Sequence, residues 1–226
     1  MNVWSDKKPV SGEVADMNVL IDLPATAQLS KPKTIGRGYR SYERYEVTLP
    51  GSAIAAKVER DVLLSGLVVG IVPIDVVRGE VVLIRQFRLS GHLALDKGAM
   101  IEVPAGRVAP TESVYDAALR ECHEEIGARP QQLRSLFEIM PAPALTDERM
   151  VLYAALIDAA EVKIRAGCSE EQEDIEPIRI SFDAAAEMLT CGGFHNSTAI
   201  IALQWLILNR EKLPDIFGLR QGNAGI

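Results

Sequence analysis

Gly106-Arg107-Val108-Ala109-Pro110-Thr111-Glu112, seven further residues, and then Arg120-Glu121-Cys122-His123-Glu124-Glu125-Ile126-Gly127 form the stretch on which the reading of this 226-residue chain turns. Ser113 to Ile126 has the spacing of a helix. Ser113 or Thr111 can accept from its first free N–H groups, and Gly127 suits the left-handed turn that ends it. At about 100° per residue, Glu121, Glu124 and Glu125 stand at i, i+3 and i+4, so their carboxylates share one stripe. Tyr115, Ala118, Leu119, Cys122 and Ile126 gather on an adjacent stripe suited to burial, while Asp116, Arg120 and His123 take the remaining side. Like charges so close repel by a few tenths of a kcal/mol per pair, and by more beside a buried face. A hard divalent cation removes the conflict, because Mg²⁺ takes oxygen ligands. The rival reading is a solvated glutamate-rich face. Seven fixed identities (Gly106, Glu112, Arg120, Glu121, Glu124, Glu125, Gly127) coincide by accident on the order of once in a hundred million windows or less. That sets the rival aside.

Upstream of this stretch the text is β-like. Tyr42 to Leu49 alternates, Pro50-Gly51 marks a turn, and Ile54 to Glu59 resumes an extended pattern. Leu67 to Val72 and Val81 to Ile84 read as strands around the turn-like Arg78-Gly79-Glu80, and Ile101 to Pro104 as an extended piece leading into Ala105-Gly106. Residues 1 to about 40 have weak periodicity and are expected to be loose or only partly ordered. Downstream, Val151 to Ile157 is expected as a strand and Asp183 to Leu189 as a short helix stopped by Gly192-Gly193. Thr198 to Arg210 is expected as a longer amphipathic helix ending before Pro214. The order implies an α+β fold, an α/β/α sandwich with a mixed sheet, rather than a βαβ repeat. Two regions are expected: an N-terminal segment 1–64 with a small antiparallel sheet, and a main domain 65–226.

Composition narrows the partners. The formal net charge of -7 disfavours a polyphosphate backbone at long range, so nucleic acid is not an expected partner. A small phosphorylated ligand remains open if metal ions or local arginines supply positive charge. Three cysteines without CxxC spacing fit a reducing, cytoplasmic setting. The N-terminal residues carry no apolar core of a secretory signal, and Leu63 to Val77 is interrupted by Gly66, Gly70, Pro73 and Asp75, so no membrane span is expected. His92, His123 and His195 offer neither a triad nor an HxxxH pair, and Gly192-Gly193 lacks the rest of a phosphate loop.

The central spacing resembles the Nudix signature, Gly-x5-Glu-x7-Arg-Glu-U-x-Glu-Glu-x-Gly-U, where U is a bulky aliphatic. Cys122 and Ala128 are smaller than that pattern expects, a departure that concerns packing. The resemblance implies a Nudix fold and metal-dependent hydrolysis of a nucleotide diphosphate. By position it implies Glu121 and Glu125 as direct ligands of two to three Mg²⁺ (or Mn²⁺) ions, Glu124 assisting, and the carbonyl of Ala105 beside Gly106 as a further ligand. Glu112 and Arg120 would orient the carboxylates. Over residues 40 to 210 the chain also resembles bacterial ADP-ribose pyrophosphatases, at Arg85-Gln86-Phe87-Arg88, Glu102 to Gly106, Thr146 to Arg149, Glu170 to Ile175 and Ala199 to Leu206. In that branch the base that activates water comes from the acidic loop after the box, which implies Glu171, with Glu173 close behind. Arg88 is a candidate phosphate contact, since a guanidinium presents a fork of donors. Glu148 is a candidate for the sugar, and Arg60 for a partner's site in a homodimer.

The expected activity is hydrolysis of ADP-ribose or a related ADP-sugar to AMP and a sugar phosphate. Two alternatives stand beside it. One keeps the chemistry and changes the substrate to GDP-mannose or another nucleoside diphosphate sugar. The other is a Nudix-fold module that senses a nucleotide without cutting it, which loss of box carboxylates or an attached DNA-binding domain would favour. The chain retains every box carboxylate.

Overall fold

A computed structural model of the chain describes residues 22–51, 57–168 and 173–219. It divides into two compact units, one drawing on residues up to Ile35 and on Glu43–Asp61, the other on Gly36–Tyr42 and the chain from Val62 onward. The small sheet contains β1 (Gln28–Leu29), β2 (Lys33–Arg37), β3 (Ser41–Thr48) and β4 (Val58–Leu63), in the order β1-β3-β2 with β4 also on β3. Within the first unit, Thr34 donates to the Glu43 carboxylate at 2.9 Å, and Arg44 and Asp61 pair at 2.6 Å. Two strands thus lie where loose chain was expected. Almost every residue of β1 and β2 is exposed, so burial writes no alternation into them; their order comes from ladder bonds to β3. The extended run at Ile54 falls partly on 52–56, outside the described residues, and β4 begins only at Val58.

The larger unit is built on β5 (Leu67–Asp75), buried at every position but the first. An unbroken apolar run suits a strand covered on both faces. Its partners are β6 (Glu80–Phe87) and β8 (Ala105–Arg107), both antiparallel, and β10 (Arg149–Leu156), parallel. The sheet order is β11-β6-β5-β10-β9, with β7 (Ala99–Glu102) on β6 and β8 on β5; β9 is Gln132–Ile139 and β11 is Glu176–Ser181. The period-2 alternation sorts side chains between two cores. Val72, Ile74, Leu83, Leu152 and Ala154 enter one, under Ala185, Leu203 and Leu206. Those three come from α3 (Phe182–Thr190) and α4 (Ser197–Asn209). Val69, Ile71, Val82, Ile84 and Ala155 enter the other, under Ala117, Ala118, Cys122 and Ile126 of α2 (Val114–Ile126). This is the mixed-sheet α/β/α sandwich the sequence implied, and its first unit supplies the β-rich start.

The α2 termini are those its sequence dictates. Ser113 accepts from the Asp116 N–H at 3.0 Å, and Gly127 closes the helix at φ 80°. Ala117, Ala118 and Cys122 of α2, and Ala128 just beyond it, are all small and fully buried, so this stretch packs against the sheet through short side chains, at 122 and 128 where the resembled signature has a bulkier aliphatic. Tyr115, expected on the buried stripe, is instead 48% exposed and meets Tyr153 edge-on. A further short helix, α1 (Leu89–Leu95), was not anticipated. Gly91 is its sole buried residue, so no apolar period marks it.

Candidate active site

The antiparallel pairing of β8 with β5 sets Gly106 opposite Val69 and lays the Ala105-Gly106 backbone beside α2. A Cβ at Gly106 would overlap the Glu121 carboxylate, so glycine there leaves the space that this side chain fills. Glu121 and Glu125 are 8% and 2% exposed, unusually deep for carboxylates, while Glu124 is half-buried.

Arg120 organises three of the acids. Its Nε donates to Glu112 Oε1 at 2.9 Å and its Nη1 to both Glu121 Oε1 at 2.7 Å and Glu124 Oε2 at 2.9 Å. Its Nη2 reaches the Arg107 carbonyl and Glu112 Oε2, each at 3.0 Å. Hydrogen bonds from Arg120 hold the Glu112 carboxyl below the usual carboxylate range, and those to Glu112 and Glu121 hold the guanidinium still more firmly charged. Glu125 is held differently: its Oε2 accepts from the Ala105 N–H at 2.9 Å. Burial pushes its carboxyl well above the ordinary value. That backbone bond and Arg88 oppose the rise, while the Glu121 and Glu173 carboxylates add to it. The three helix glutamates therefore share one helix but not one partner: two lean to Arg120 and the third turns to β8. Among the described residues no three Asp, Glu, His or Cys side chains already stand as a ligand set.

A cleft of about 1160 Å³ brings together Arg88, Ala105, Gly106, Glu112, Arg120, Glu121, Glu124, Glu148 and Glu173. Glu125, 2% exposed, and Gly127, which ends the helix, are not among the residues that line it. Glu173 sits at the close of the acidic loop, where its N–H donates to the Cys168 carbonyl at 3.1 Å. The loop's base is fixed to α2 by the Gly167 N–H on the Glu124 carbonyl at 3.0 Å. Glu171 lies outside the described residues. Arg60 is exposed on β4 in the first unit, its Nη1 donating to the Glu59 carbonyl at 2.9 Å. Arg88 is turned to Glu102, to which it donates from Nε and Nη2.

Sequence reasoning passed over Glu102, Asn196, Arg107 and Tyr39, all of which line the same cleft. Glu102 left a signal: one acid inside the apolar run Met100-Ile101-Glu102-Val103, immediately before the box. The buried Cys122, beneath the acids, has its thiol pushed up to about 12 by burial and by the Glu125 charge, so it stays protonated.

The family model described as NUDIX domain matches residues 64–196. The chain is 31% identical over 185 residues to the ADP-ribose pyrophosphatase of Escherichia coli (strain K12), covering 81% of this chain and 88% of that protein. It is 32% identical over 128 residues to the GDP-mannose pyrophosphatase of Enterobacter sp. (strain 638), covering 56% and 66%. Its fold matches a crystal structure of an ADP compounds hydrolase with a TM-score of 0.62 at 21% identity, over 82% of this chain and 97% of that one.

Proposed function

Since the chain belongs to the Nudix family and is a pyrophosphohydrolase of that family, we propose that its substrate is ADP-ribose or a related ADP-sugar, hydrolysed at the diphosphate to AMP and a sugar phosphate. One observation carries this reading. The Arg120 guanidinium gathers Glu112, Glu121 and Glu124 along the wall of the cleft that also holds Arg88 and Glu173. Extent of likeness supports this choice of substrate: that to the ADP-ribose enzyme runs over 185 residues, that to the GDP-mannose enzyme over 128. The second likeness keeps GDP-mannose as the alternative substrate.

The residues fit a hard divalent cation. The groups able to ligate a cation that line the cleft from the box are all oxygens, the absent Cβ at Gly106 makes room for one carboxylate, and Glu125 is an acid whose charge burial and two neighbouring acids disfavour. Glu121, Glu124, Glu125 and the Ala105 carbonyl would hold two or three Mg²⁺ or Mn²⁺ ions. Such ions, when bound, screen the diphosphate charge and acidify water.

The chain's own groups do the rest. Arg120, fixed by Glu112, keeps two of the carboxylates in place. Arg88 offers its guanidinium to phosphate oxygens. Glu173 or Glu171 accepts the proton of the attacking water, a role that needs an acid at the cleft; Glu173 is the one whose place there is described. Glu148 contacts the sugar. A homodimer, with Arg60 serving the partner's site, and a cytoplasmic setting complete the proposal; the three free cysteines support the latter. Among the described residues no helix is long and apolar enough to cross a membrane.

Phosphomonoester release from a panel of nucleotide sugars tests this directly. ADP-ribose is expected to give the highest kcat/KM. A higher value for GDP-mannose would transfer the assignment to that substrate, and release from none would remove it.

A further inference from the structure

Glu102 ends β7 three residues before Ala105 and is only 7% exposed, yet four donor groups converge on it. Arg88 gives Nε to Oε1 and Oε2 at 3.1 and 3.0 Å, and Nη2 to Oε2 at 2.7 Å. Gln86 gives Nε2 to Oε2 at 3.1 Å, and Asn196 gives Nδ2 to Oε1 at 3.0 Å. The arrangement follows from strand geometry. Gln86 and Arg88 are two apart, hence on one side of the chain, and the pairing of Ile84 with Glu102 sets that acid diagonally across from Gln86. Asn196 arrives from the other direction as the cap of α4, its Oδ1 accepting from the Ala199 N–H at 2.9 Å.

A buried carboxylate is costly to desolvate, and the charged bonds from Arg88 offset that. The guanidinium is left half-engaged. Nε and Nη2 are occupied, whereas Nη1 makes no hydrogen bond among the described residues, and Arg88 lines the cleft. A long, flexible cation would otherwise swing towards Glu125 of the box and Glu173 of the later acidic loop, which it feels electrostatically.

We propose that Glu102, steadied by Asn196, is a positioning residue that aims the free edge of Arg88 at the substrate's diphosphate. The proposal rests on the reading of Arg88 as a phosphate contact. Glu102 neither touches the reacting atoms nor exchanges a proton; it sets where the guanidinium can point.

The test is a double-mutant cycle on the metal-loaded enzyme with ADP-ribose, comparing Glu102→Gln, Arg88→Ala and the pair, with kcat and KM measured separately. Glu102→Gln is expected to lower kcat/KM about tenfold, mostly through KM, and to have no further effect once Arg88 is alanine. Asn196→Ser retains a capping oxygen for α4 but removes the donor to Glu102, and is expected to shift KM in the same direction by a smaller factor at near-native Tm. If Arg88→Ala leaves kcat/KM intact, the phosphate-contact reading fails. If Arg88→Ala is impaired but Glu102→Gln is silent, or is equally damaging in both backgrounds, the positioning role fails alone.

Discussion

The Ala105 backbone N–H donates to Glu125 Oε2 at 2.9 Å, so the strand expected to offer a carbonyl to the cation already grips one of the acids expected to share it. Strand β8 and helix α2 are thereby joined at the site itself, through a carboxyl that burial holds largely protonated near its ordinary titration range.

Glu125→Gln mimics that protonated form. The folded-state value lies above the unfolded one, so the native state gains from the proton: the gain is complete below about pH 4.5 and is lost as pH rises through the folded value. In chelator at pH 8 the variant is expected to melt above the parent, by a few degrees for about 1 kcal/mol. The two should converge near pH 4. With Mg²⁺ the order is expected to reverse, because the parent gains more from the ion, and turnover of the variant should be nearly absent. Differential scanning fluorimetry across pH, with and without Mg²⁺, reads all three.

Gly106→Ala separates folding from activity. Its Cβ would collide with the movable end of the Glu121 side chain rather than with backbone. Displacing that end is expected to cost at most about 1 kcal/mol in stability, while misplacing the carboxylate should lower kcat/KM about 100-fold. A variant with native activity would show that Glu121 does not need its present position.

Arg120→Ala releases three carboxylates at once. The side chain is about a third exposed, so screening keeps the stability loss at neutral pH near 1 kcal/mol. The pH dependence is more telling. Arg120 lowers the Glu112 value, so this bond stabilises above the ordinary carboxylate range and is lost as pH falls through the lowered value. The variant should lose that portion of the acid limb in a Tm–pH curve.

Glu173→Gln is expected to lower kcat about 100-fold with KM little changed. If Glu171→Gln does this and Glu173→Gln does not, the base is Glu171.

The sequence announced the sandwich because burial writes its period into the chain. Val69, Ile71, Val72 and Ile74 alternate between two cores, and α2 carries its caps and apolar stripe in plain text. Strands β1 and β2 were illegible because their order comes from partners rather than from burial. The site divides in the same way. Arg120, Glu121, Glu124 and Glu125 lie on one helix, whose geometry fixes their neighbours, and Glu112 stands just before its cap. Glu102 and Asn196 are 94 residues apart and meet only through the packing of α4 on the sheet, which no local spacing encodes.

The pairing of Val69 with Gly106 also ties the register of β8 to the space that Glu121 fills. Were β8 to slip by one residue along β5, Ala105 or Arg107 would take the position under Glu121, where a Cβ would displace its carboxylate. Correct threading of three residues and competence for the reaction are thus a single condition, so imperfectly folded copies should be inert rather than partly active, and specific activity should report the fraction of molecules that have folded correctly.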